Sequence, residues 1–171
     1  KGRLSISNPA FFHYSGEINM NECEFLSNAT RIQSLLKAEK VTFKKSTLLK
    51  HFNENGPDVE IRELSISGVF INEGIIKLNE TLRTFGEHTE IHNRSLITTQ
   101  QIVNESDEAL IKEGKIDANK IHVKSGTLHA NCDLDSLDSI EIDTLGKLFI
   151  PKEKKTPNLK RIKSKGKLKI E

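Results

Sequence analysis

Two stretches of the chain hold residue types that do chemistry. The first runs Glu87-His88-Thr89-Glu90-Ile91-His92 and sets two imidazoles around a carboxylate. Histidine nitrogens and carboxylate oxygens are zinc ligands, so His88 and His92 are the candidate metal ligands. On a helix they would stand one turn apart. On an extended strand they share a face but lie about 13 Å from each other, too far for one ion. The order is not His-Glu-x-x-His, which would set a Glu beside the metal as general base. Solvated histidines are therefore the expected state, with no metal bound, and His122 and His129 are expected to face outward as well.

The second stretch, from Asn131 to Asp143, interleaves Asp133, Asp135, Asp138, Glu141 and Asp143 with apolar residues. Such a row reads either as a ladder of calcium ligands, as the acidic groove of a polysaccharide lyase, or as a solvated face. Calcium needs about six to eight converging oxygens. Acids on the outer side of a strand point away from the core, and the Gly-rich nonapeptide of calcium-binding β-rolls is missing from this sequence. The solvated face is the expected reading. A lyase groove also needs a cation, for which Arg31, Arg62, Arg83, Arg94 and Arg161 are equally eligible, so none is singled out. There is no Gly-rich phosphate loop, no Gly-x-Ser-x-Gly and no Cys with a His at suggestive spacing. No catalytic residue and no cofactor are expected.

Charge is unevenly spread. Lys and Arg number 26 against 24 Asp and Glu, a net charge of +2. Residues 151–171 hold nine Lys or Arg and two Glu, a surplus of seven, which leaves the first 150 residues at −5. The candidates for contact with a polyanion are Lys160, Arg161, Lys163, Lys165 and Lys167. No aromatic residue interleaves them to stack bases, so nucleic acid is not the expected partner. Alternating lysines also blunt an exposed strand edge against association, which is the simpler role for this segment. Cys23 and Cys132 fall at apolar positions and read as buried free thiols behaving as small hydrophobes.

The elements that must carry these residues repeat. The pattern of apolar or small residues at offsets 0, 2, 5 and 7 occurs at Ile18-Met20-Cys23-Phe25, Leu36-Ala38-Val41-Phe43, Val59-Ile61-Leu64-Ile66 and Ile116-Ala118-Ile121-Val123. Each apolar-x-apolar unit is a short strand showing two side chains to one face. The two-residue gap breaks the alternation, so the backbone must turn a corner if both halves face one core. Weaker copies begin near residues 76, 97, 137 and 159, giving a period of about 20 residues, that of a solenoid. Low apolar content, 35%, and few aromatics, 5%, suit a core of stacked Ile, Leu and Val.

The expected fold is an all-β parallel solenoid of seven to eight coils over residues 1–171. Residues 1–55 form less regular first coils, 56–150 the main solenoid and 151–171 a basic terminal coil or tail. Its core is expected to include Ile18, Met20, Leu36, Val41, Phe43, Ile61, Leu64, Ile66, Ile116, Ile121, Val123, Leu128, Ile140, Ile142, Leu148 and Ile150. Two stretches also carry helix signals. Asn28–Lys40 spaces Ile32, Leu35 and Leu36 helically, and Asn104–Gly114 has a capping Asn, early acids and a closing Gly.

The stretch from Gly114 to Asp143 resembles the repeats of filamentous-haemagglutinin-type exoproteins. Gly114, Ile116, Ala118, Ile121 and Val123 match Gly-x-Ile-x-Ala-x-x-Ile-x-Ile, and Gly126, Leu128 and Ala130 match the turn and Leu-x-Ala that follow. The resemblance implies a right-handed parallel β-helix, secreted by Gram-negative bacteria through a partner pore, acting as an adhesin or as the stalk of a contact-delivered toxin. This chain is poorer in Gly and Asn and richer in Lys and Glu than those repeats. Bactofilin-like intracellular scaffolds also use short parallel β-helices, which makes a cytoplasmic self-assembling module the alternative, and a carbohydrate-active β-helix enzyme the third class. The expected partner is a protein or glycan surface, with end-to-end self-association as a further mode. No apolar run is long enough to span a bilayer, and the chain, starting at Lys1, reads as a piece of a longer secreted or cell-surface protein.

Overall fold

The computed structural model describes the backbone of residues 3–6, 12–25, 29–43, 46–49, 56–154, 156 and 158–170. Side chains are described for residues 41–43 and 47–49 and from residue 56 onward within those ranges. Among the described residues ten strands account for the regular structure: β1 Arg3–Ile6, β2 Phe12–Phe25, β3 Ala29–Phe43, β4 Ser46–Leu49, β5 Val59–Asn72, β6 Ile76–Asn93, β7 Leu96–Asp133, β8 Ser139–Ile150, β9 Arg161–Ser164 and β10 Lys167–Ile170. Every pairing between them is parallel, and each strand pairs with the next along the chain apart from β9, which joins β10 in pairing with β8. The result is a β-solenoid of stacked coils.

The repeat works by register. One column of partners runs Leu4–Cys23–Val41–Leu64–Leu82–Ile102 and, past the internal step of β7, resumes as Ile121–Ile140–Ile162. A second column runs Met20–Ala38–Ile61–Leu78. Equivalent residues in successive coils thus meet one another, and each coil offers the next the apolar surface it needs. Every expected core residue with a described side chain is buried, from Val41 and Phe43 to Leu148 and Ile150. The side chains of Ile18, Met20 and Leu36 lie outside the described set. Phe43 stacks on Phe70 at 5.4 Å between ring centroids, next to a core otherwise dominated by Ile, Leu and Val. At roughly 2 kcal/mol for each fully buried aliphatic side chain, this column is the main stabilising element.

The corners are where the sequence pattern breaks its alternation. In β5–β6 the register shifts between Ile61 and Glu63, inside the two-residue gap of Val59-Glu-Ile61-Arg-Glu-Leu64, and again between Ile66 and Gly68. Polar residues are buried at two other bends. Asn72 Nδ2 donates to Asn93 Oδ1 at 2.9 Å, and Asn93 Nδ2 donates to the Lys115 carbonyl at 2.8 Å. Thr84 Oγ1 donates to Asn104 Oδ1 at 2.6 Å, and Asn104 Nδ2 donates to the Ser125 carbonyl at 2.7 Å. Bending the chain exposes backbone groups to a dry interior, and these amides satisfy them. Gly114 and Gly126 stand beside these bends with φ of 62° and 64°. A Cβ at Gly114 would collide with the Asn93 carbonyl oxygen, and one at Gly126 with that of Ser106. Both the space and the positive φ therefore select glycine.

Two expectations are corrected. There is no helix among the described residues: 29–43 and 104–114 are both strand. The Asn104 that reads as a helix cap is a buried corner amide, because an Asn that bonds turning backbone has the same sequence appearance in either role. The spacing of Ile32, Leu35 and Leu36 is overridden by pairing on both sides, with β2 and with β4 and β5.

Candidate functional site

The outer face of the solenoid is organised by charge at the coil period. Glu63, Arg83, Glu105 and Lys124 alternate in sign on four successive coils. Arg83 Nε lies 3.3 Å from Glu63 Oε1, Arg83 Nη1 donates to Glu105 Oε2 at 2.8 Å, and Lys124 Nζ donates to Glu105 Oε1 at 2.8 Å. The Lys124 hydrogen bond is the first cause holding the Glu105 carboxyl below the ordinary carboxylate range; partial burial opposes it and Arg83 adds to it. The signal for this row was present in the sequence as alternating charges about one coil apart. It is legible only once the coil length is known.

His88 and His92 converge on one carboxylate, that of Glu90. His92 Nε2 lies 2.8 Å from Glu90 Oε1, and His88 Nε2 lies 3.8 Å from Glu90 Oε2. Lys112 also hydrogen-bonds Glu90 and, ahead of the charge of His92, holds its carboxyl below the usual range. Glu108 and Glu113 complete the group, at 3.9 Å from His88 Nδ1 and 3.6 Å from His92 Nδ1. This is a network of polar contacts, with the two imidazoles on opposite oxygens of Glu90 rather than around one point.

The acidic run is dispersed among separate cations. Lys154 binds Asp133 at 3.1 Å, Lys115 lies 3.7 Å from Asp135, and Arg161 binds Asp138 at 3.1 Å. Glu141 receives Lys120 at 2.6 Å and Lys163 at 3.2 Å, which together bring its pKa down to about 2. A carboxylate so strongly held in its charged form is a poor proton donor near neutrality. His122 Nε2 meets Asp143 Oδ2 at 3.1 Å. His129 stacks on Phe149, its register partner, at 4.8 Å between ring centroids.

The basic residues form the last rung. Arg161 and Lys163 on β9 reach back to Asp138 and Glu141, while Lys167 on β10 sits in register with Lys147. Lys120, Glu141, Lys160, Arg161 and Lys163 line an open groove between this rung and the preceding coils. Lys165 is exposed, and its amide donates to the Ile142 carbonyl at 2.8 Å. Cys132 is a buried free thiol whose pKa is pushed up to about 12 by burial. It therefore behaves as a small hydrophobe. The side chain of Cys23 lies outside the described residues. Among the described residues no helix is long and apolar enough to cross a membrane. The chain matches no protein-family model, no curated protein and no solved structure at a significant level.

Proposed function

We propose that this chain is a non-enzymatic structural and interaction module, the stalk or adhesive segment of a large bacterial exoprotein or toxin that acts outside the cell or on its surface. The observation that carries the reading is the fate of the surface charges. From Glu63–Arg83–Glu105–Lys124 on one row to Lys120–Glu141–Lys163 on another, side chains that could serve catalysis are tied across coils. Ties of this kind stiffen a rod and leave long lateral faces available for a protein or glycan surface.

A second reading is an intracellular self-assembling scaffold of the bactofilin type. It draws on the stacked parallel coils themselves, whose backbone pairing can continue from one chain to the next. A third, a carbohydrate-active enzyme, draws on the groove that Lys120, Glu141 and Arg161 line.

Light scattering after size exclusion at low and high salt, followed by a glycan array, separates the three. A monomer at both salts that binds a glycan or cell surface without altering it supports the stalk or adhesin. Filaments that grow with protein concentration support the scaffold and overturn the first reading. Cleavage of a bound polysaccharide overturns both.

A further inference from the structure

The acidic run holds one convergence that the ion pairs do not exhaust. His122 on β7 is in register with Glu141 on β8. Asp143 stands two residues beyond Glu141 and so presents its side chain to the same outer face. One ligand atom from each of the three lies within 4.8 Å of the other two, and all three residues are half-buried. We propose that His122, Glu141 and Asp143 bind a single divalent transition cation of the zinc type, which clamps one coil to the next.

The donor set selects the ion. One imidazole nitrogen and two carboxylate oxygens suit zinc, which takes nitrogen and oxygen in a four-coordinate shell and leaves a position for water. Calcium and magnesium prefer shells built from six or more oxygens, which three such side chains do not provide. In a tetrahedral zinc shell the donor atoms stand roughly 3.4 Å apart. His122 Nε2 and Asp143 Oδ2 are already near that spacing at 3.1 Å. Glu141 closes the remaining distance by side-chain rotation.

Two lysines compete with the ion. Lys120 and Lys163 both hold Glu141, and a cation placed there displaces at least one of them. Lys163 is the one to leave, because its side chain is 75% exposed and its ammonium hydrates as it swings into water. The competition leads to an expectation peculiar to this site: removing Lys163 strengthens metal binding. The inference stands apart from the proposed stalk function, since a clamp between coils is compatible with any of the three readings.

The experiment is a calorimetric and thermal titration of the tag-free, chelator-treated chain with Zn²⁺ alone, and separately with Ca²⁺ and Mg²⁺. One Zn²⁺ should bind per chain, and at about 100 times the dissociation constant the Tm should rise by roughly 5 °C. His122→Ala should weaken binding tenfold or more. Lys163→Ala should tighten it, and the double variant His88→Ala/His92→Ala should leave it unchanged. Asp143→Asn, on a half-exposed side chain, should also weaken it and serves if His122→Ala fails to fold. Absence of zinc binding overturns the proposal, as does equal binding by His122→Ala or Asp143→Asn with a wild-type circular dichroism spectrum. Loss of binding in the His88/His92 variant assigns the metal to the other cluster and overturns it too.

Discussion

The coils around Ile121 and the last rung around Ile162 follow one pattern and end in different states. Ile121, Ile140 and Ile162 occupy one column in register, yet their exposures are 0%, 2% and 54%. Ile150 is sealed at 1% and its partner Ile170 is 48% exposed. The side chains are the same, and only the neighbours differ: β7 and β8 have coils on both sides, whereas among the described residues β9 and β10 pair with β8 alone. In a solenoid, stability is close to a sum of nearest-neighbour terms, so a position contributes according to how many coils flank it.

The largest expected effect divides these two regions. Ile121→Ala should cost about 3 kcal/mol in urea unfolding, the range of a core cavity, while Ile162→Ala should cost under about 1 kcal/mol. Equal losses would mean that position along the stack does not govern stability. The polar corners give a smaller contrast. Asn104→Ala removes the amide that accepts from the Thr84 hydroxyl and donates to the Ser106 and Ser125 carbonyls in a buried bend. That should cost about 1–3 kcal/mol. Asn158→Ala removes only an exposed hydrogen bond to the Asp135 carbonyl. Its cost, read in the same urea titration, should stay within about 0.5 kcal/mol.

The charged rows contribute the smallest effect, and it depends on pH. Glu90 and Glu105 have pKa values lowered from 4.5 in the folded chain, mainly through hydrogen bonds from Lys112 and Lys124. A lowered folded-state pKa stabilises above the unfolded value, and that stability drains away as pH falls through the ordinary carboxylate range toward the folded value. Glu105→Gln should therefore reduce the loss of Tm between about pH 5 and 3 and have little effect on Tm at high salt and neutral pH. An unchanged acid limb in this variant would show that the Arg83–Glu105–Lys124 row is not energetically coupled to folding.

Much of the fold was legible in the sequence alone. The offsets shared by Leu36-Ala38-Val41-Phe43 and Ile116-Ala118-Ile121-Val123 state a stacking rule, and Ala38 and Ile61 do meet in register. Helix signals failed for a physical reason. Asn104 satisfies backbone at a β-corner much as it would at a helix start, and local propensity yields to pairing on both sides of a strand. The site was less legible. His122, Glu141 and Asp143 come together only because the coil step there carries Ile121 onto Ile140. Neighbouring steps, Leu64 to Leu82 and Leu82 to Ile102, differ from it and from each other in length. Coil length is set by loops and bulges, such as the shift between Val123 and Ser125, that carry no periodic signature. The same variability hid the partners of the acidic run, which reads as a solvated face in the sequence and is tied to separate cations in the structure.

Hydrogen exchange of backbone amides, resolved along the chain, tests the stacked and unequal coils most directly. The account predicts slow exchange through residues 59–132 and across β8, with protection falling by about two orders of magnitude or more in 161–170, where each strand has one neighbour. Uniform protection through Ile170, or rapid exchange at Leu64, Leu82 and Ile121 alike, would contradict it.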